Sequence, residues 1–290
     1  MIDLVFVLVV SLVVIYADGM LTKGNFGSQF NGVGAIVPVL IGRSMAPMQH
    51  RVLVPWLCWL VSRVLGWGDD KYPFFKIYLA IRWVAIFAAI GMSHLYFGHF
   101  GMTALLALFF VWAALYDYTD GYVEVACFAA ALYLMGVGGL WMYVGMAAVS
   151  FLAALNRETA IFIPIVVALT GQPLLTTVSF GFFLCGFAIP RLMYRGAQRY
   201  CSLWMLPKNL KSLKQELSSK PIVYTEYTHF LVLVGLMVVT YAVSFPWSPV
   251  EIGLGLMFGA LLVPTVWREI RVFAPVMLGL IPMVVNYGLI

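Results

Sequence analysis

Charge is what this sequence has least of. Only 10% of its 290 residues are Asp, Glu, Lys or Arg, against about 25% in a soluble domain. That is too little to clothe a globular surface, so a water-soluble fold is excluded. Cysteine is also sparse. The four thiols, Cys58, Cys127, Cys185 and Cys201, form no CxxC pair, which leaves neither a disulfide framework nor a zinc site. The chain has no Walker A loop, no dinucleotide glycine fingerprint, no HExxH and no GxSxG. His94, His99 and His229 lie too far apart for metal-ligand spacing. Nucleotide-driven, zinc-dependent and serine-hydrolase chemistries therefore lose their usual signatures.

What is present is apolar. Hydrophobic residues make up 63% of the chain, and the mean hydropathy is +0.98. They fall into about 11 segments, near 2–16, 52–66, 77–97, 101–117, 122–136, 138–155, 158–170, 174–190, 228–245, 250–266 and 272–289. Backbone polar groups in lipid must be satisfied internally. The fold class is thus all-α, a polytopic transmembrane helical bundle occupying 1–290 as a single transmembrane domain. A straight span needs about 20 residues. Several middle segments are shorter, and these read as tilted, short or re-entrant. Met1 to Tyr16 lacks a basic leader and reads as a retained first helix.

Two loops are long. Residues 17–51 are glycine-rich with an apolar patch at Val33–Ile41 and are expected to form an external interfacial loop. Residues 191–227 are basic: between Arg191 and Lys220, seven Lys or Arg stand against Glu216 alone. Within that loop Pro207–Leu217 reads as an amphipathic basic helix on the membrane surface. Net charge is +5, but these cations suit lipid head groups rather than nucleic acid. The excess of Lys and Arg expected of cytoplasmic loops places 191–227 in the cytoplasm, with the N-terminus cytoplasmic and 17–51 outside.

Ionisable groups within membrane helices are costly and usually face a cavity or one another, so the few present are the candidate functional residues. Asp18 follows the first helix as a candidate base or metal ligand, or simply ends it in an Asp-Gly turn. His50 and Arg51 open the second segment. The Arg51 fork can hold a phosphate with two donors, or act as an interfacial anchor. Asp117, Asp120 and Glu124 form an acidic cluster that reads as helix capping, with a divalent cation on Asp117 and Asp120 as the alternative. Asn156, Arg157, Glu158 and Thr159 interrupt an apolar stretch. There Arg157 can bind phosphate while Glu158 or Asn156 positions a hydroxyl.

Three pieces, His50-Arg51-Val52-Leu53-Val54-Pro55-Trp56-Leu57, Asn156-Arg157-Glu158-Thr159-Ala160 with Pro164, and Arg268-Glu269-Ile270-Arg271-Val272-Phe273-Ala274-Pro275, follow Asp18 in this order. Together they resemble small bacterial membrane proteins of the GT-C glycosyltransferase type. The resemblance implies a bacterial inner-membrane enzyme that takes a sugar from a polyprenyl-phosphate donor and inverts its anomeric configuration. It implies Asp18 and Glu158 as catalytic residues, with His50, Arg51, Asn156 and Arg157 on the substrate. Many such enzymes carry a pair of acids in the first loop, whereas 17–51 has Asp18 alone. The implied partners are membrane lipids and a lipid-linked sugar donor. The alternatives are a non-catalytic subunit beside a partner membrane protein, and a carrier or flippase for a lipid-linked or anionic solute.

Overall fold

The computed structural model describes residues 2–24, 36–41, 51–67, 71–98, 103–104, 107, 119–194, 206–219, 228–243 and 246–262. Among them there is no strand. The helices are α1 (Ile2–Gly24), α2 (Ile36–Leu40), α3 (Leu53–Val64), α4 (Lys71–Phe97), α5 (Thr119–Val137) and α6 (Gly139–Asn156). After a 3-10 turn (Glu158–Ile161) come α7 (Phe162–Leu169), α8 (Pro173–Met193), α9 (Leu206–Ser219), α10 (Thr228–Val243) and α11 (Pro249–Leu261). Among the described residues, four stretches are long and apolar enough to cross a membrane: Ile2–Met20, Phe74–Phe97, Gly139–Asn156 and Pro173–Met193. The expected segment 272–289, and nearly all of 101–117, lie outside the described residues, as does the Arg268–Pro275 motif.

Side-chain pairs set the relative directions. Asp3 meets His94 and Asp18 meets Arg82, so α1 runs antiparallel to α4. Tyr78 meets Thr119 and Arg82 meets Tyr122, so α4 and α5 run parallel. These two helices form the most extensive pairing in the fold. The start of α5 is docked on α4, where the Thr119 N–H donates to the Tyr78 hydroxyl at 2.9 Å. That bond satisfies one of the amides that every helix start leaves open. The turn into α6 uses Gly138 and Gly139, both at positive φ, a region that a side chain disfavours.

Lipid offers no hydrophobic drive for helices to associate, so close approach and hydrogen bonds supply it. Between α6 and α8 the hydroxyls of Ser150 and Ser179 bond at 2.8 Å. Next to them Gly186 lies so near that a Cβ there would collide with the Phe151 carbonyl. On α1 the buried positions Val7, Ser11, Val14 and Asp18 form one stripe, while Leu8, Val9, Leu12 and Val13 are exposed. That is the seam-and-lipid pattern of a peripheral span.

Of the short segments, 122–136 lies in the 19-residue α5 and 174–190 in the 21-residue α8, a candidate span, while others stay short. α3 has 12 residues, about 18 Å at the helical rise, where a span needs about 30 Å. α7 has 8 residues and carries Pro164 in its first turn, where the missing N–H costs nothing. The basic helix expected at 207–217 forms at Leu206–Ser219 and exposes Lys208, Lys211 and Lys214.

The expected placement of the two long loops does not fit this structure. Arg51 ends the first loop and Arg191 begins the second, and both stand against the Glu158 carboxylate. The two loops therefore open at one end of the bundle. The expectation counted every apolar segment as a crossing, and that count fixed the side on which each loop was placed. In a cysteine-free background, Ser28→Cys and Ser218→Cys should therefore react with a membrane-impermeant maleimide from the same side of sealed vesicles. Labelling from opposite sides would overturn this arrangement.

Candidate functional site

The polar residues gather at the loop end of the bundle. α6 stops at Asn156 because Arg157 turns extended, with φ −152° and ψ 152°. Side chains then alternate across the break. Arg157 and Thr159 turn towards α5, while Glu158 turns outward. The partner on α5 is Glu124, in its second turn. Its Oε2 accepts from Arg157 Nη1 at 2.8 Å and its Oε1 accepts from the Thr159 hydroxyl. Glu124 and Arg157 are buried, as is Asn156. Arg51 lies within electrostatic reach of the same carboxylate.

The α3 entrance is fixed to this break by backbone: the Val52 N–H donates to the Leu155 carbonyl at 2.9 Å. That bond brings Arg51 to the outer carboxylate, with Arg51 Nε 3.6 Å from Glu158 Oε2. On the other side Arg191 Nη2 stands 3.5 Å from Glu158 Oε1. Arg191 sits in the last turn of α8. Its Nη1 donates to the Phe187 carbonyl at 2.9 Å, and its guanidinium lies 3.3 Å over the Phe187 ring. A cation at a helix C-terminus also meets the negative end of the dipole.

Two apolar hollows adjoin this end. One, of about 640 Å³, is walled by Leu40 of α2, by Leu53, Trp56, Leu57 and Leu60 of α3, and by Met193 and Tyr194 at the end of α8. Arg51 lies two residues before α3, and Arg191 sits on α8. The other, of about 590 Å³, lies between α3, α4, α5 and α6, with Leu57, Ile81, Ala85, Val123, Cys127 and Leu152 among its walls. Its lining is almost wholly apolar, with no charged partner beyond Lys76 at its rim. The first hollow is the better placed beside the arginines.

Of the six residues expected from sequence, the structure brings four together: Arg51, Asn156, Arg157 and Glu158. His50 lies outside the described residues, and so does Asp117. Asp18 is the correction. Its side chain is completely buried, and both its oxygens accept from Arg82 Nε at 3.0 Å, with a further bond from Arg82 Nη2. The Arg82 guanidinium also lies 4.5 Å over the Tyr122 ring. A general base must reach the proton that it removes, and this carboxylate is shut between α1, α4 and α5. Its geometry is that of a clamp. Glu124 is a second correction: it binds Arg157 and Thr159 instead of assisting a helix start.

Arg82, Glu124 as an ion-pair partner, and Arg191 escaped sequence reasoning. A signal for the first two was present, since each is a charge inside an apolar run and such charges must pair. Arg191 was hidden among the cations of its loop. Among the described residues, no three of His, Cys, Asp and Glu come together to ligate a metal. No family model, curated protein or solved structure matches the chain.

Breaking one side of a buried ion pair strands the other charge and costs about 3–5 kcal/mol, whereas replacing both by apolar groups is often neutral. Asp18→Asn should accordingly lower the melting temperature in detergent, and Asp18→Leu with Arg82→Met should restore much of it. A stable Asp18→Asn protein would show that the clamp is dispensable.

Proposed function

We propose that this protein is a GT-C-like membrane glycosyltransferase that moves a sugar from a lipid-phosphate donor to an acceptor hydroxyl. The observation that carries the reading is the convergence of Arg51, Arg157 and Arg191 on Glu124 and Glu158, beside an apolar hollow walled in part by α3 and α8. Three guanidinium groups and two carboxylates leave one net positive charge. That balances a single phosphodiester, the linkage of a lipid-phosphate sugar. The lipid chain enters the hollow walled by Trp56, Leu60 and Met193.

In this reading the acceptor oxygen attacks the anomeric carbon as the bond from that carbon to the phosphate oxygen breaks. The electron pair leaves with the lipid phosphate, which Arg51 and Arg191 stabilise as its charge grows. The acceptor proton passes to Glu158, the half-buried carboxylate at the mouth of the site. Arg157 is held by Glu124 and acts by keeping the break between α6 and α7 in shape. Asp18 takes no chemical part.

A second reading, a lipid-phosphate carrier or a non-catalytic subunit, is favoured by the burial of Asp18, which leaves Glu158 as the one accessible carboxylate at this site among the described residues. Purified protein incubated with a panel of polyprenyl-phosphate sugars and acceptors separates the two, with donor consumption followed by mass spectrometry. The wild type should consume a donor, and Glu158→Gln should slow that by about 10²–10⁴-fold, the usual contribution of a general base. Donor bound but never consumed would favour the carrier, and no binding at all would overturn the transferase and the carrier and leave the non-catalytic subunit.

A further inference from the structure

The two ion-pair systems at this end differ in kind. Arg157 and Glu124 are in contact at 2.8 Å with both side chains nearly inaccessible, at 6% and 2% exposure. Arg51, Glu158 and Arg191 stand off at 3.6 and 3.5 Å, with exposures of 22%, 30% and 25%. A charge-assisted hydrogen bond closes to about 2.7–2.9 Å. The first system is closed, whereas the second is a carboxylate resting between two cations without being gripped by either. Arg191 is anchored by something else, the Phe187 carbonyl and ring, and the backbone beside Arg51 is fixed by the bond from Val52 to Leu155. Arg191 therefore need not move when the anion beside it changes.

We propose that Glu158 is a built-in competitor, a carboxylate occupying an anion site formed by Arg51 and Arg191 that a lipid phosphate displaces. This rests on the lipid-phosphate reading above and adds regulation to it. In the resting protein the two guanidinium charges are neutralised in part, so adventitious anions gain little. A phosphate delivered with its lipid chain takes both arginines, because the chain in the adjoining hollow supplies the binding energy that a free anion lacks. Displacement leaves the Glu158 carboxylate without its cations and turned towards the bound donor. The base is thereby released only when a donor is present, which protects the site from idle proton exchange and couples donor binding to acceptor activation. No covalent bond changes in this step.

The test is binding to the full-length protein in nanodiscs of neutral lipid, with three probes: inorganic phosphate, a polyprenyl phosphate without sugar, and the matching polyprenol. Glu158→Gln should bind polyprenyl phosphate about three- to tenfold more tightly than the wild type, the range expected when two partly exposed ion pairs cease to compete. The polyprenol should be unaffected, and inorganic phosphate should bind weakly but show the same direction. Arg191→Gln should weaken polyprenyl phosphate and abolish the gain from Glu158→Gln in the double variant, and Arg191→Lys should restore part of it. A merely structural Glu158 gives no such gain. Unchanged or weaker binding by Glu158→Gln, with Arg191→Gln still weakening the wild type, would overturn the competitor role and leave the lipid-phosphate reading standing. Equal binding of polyprenol and polyprenyl phosphate in every variant would overturn both.

Discussion

Glu124 and Arg157 meet where α5, α6 and the turn into α7 come together, and most of the loop end of the bundle depends on that contact. Each is a charge buried within the bundle. Alone, either would be expelled or neutralised, because the cost of an unpaired ion at such depth runs to several kcal/mol. Paired, and with Thr159 on the second carboxylate oxygen, they make the interruption after Asn156 tolerable. The interruption in turn lets Glu158 face outward, and it offers the Leu155 carbonyl to Val52 at the start of α3. One buried pair thus determines where a half-length helix can dock and where the exposed charges gather.

The clamp between Asp18 and Arg82 performs a related task a helix away. It joins α1, which touches the rest of the described bundle chiefly through α4, to the pair of helices that carries Glu124. Arg82 also lies over the Tyr122 ring, two residues before Glu124. The two buried pairs therefore share α5 as their common support. The partly exposed cluster of Arg51, Glu158 and Arg191 rests on this scaffold with longer contacts, of 3.6 and 3.5 Å.

Much of the fold was legible in the residues. The apolar segments of the sequence coincide with helices wherever both are described, and the basic helix of the second long loop forms within two residues of its expected bounds. The break at Asn156–Thr159 was legible too, because four polar residues in an apolar stretch demand partners. The partners were not. Glu124 and Arg157 are 33 positions apart, and nothing in either local run names the other. Asp18 shows the same limit from the opposite direction. In one dimension Asp18-Gly19 reads as the turn that ends an apolar helix, whereas α1 continues through it to Gly24 and the arrival of α4 encloses the carboxylate.

The sequence by itself determined the solvent and the class of fold, because charge scarcity leaves lipid as the only medium and helices as the way to satisfy backbone within it. It also singled out Arg51, Asn156, Arg157 and Glu158, since ionisable or amide groups beside lipid are too costly to be idle. Tertiary structure alone decided which charges are locked and which are open, and on which end of the bundle the two long loops emerge. Pairing, burial and sidedness are properties of distance between segments. Helix periodicity carries information across a few residues, whereas these distances span tens of positions.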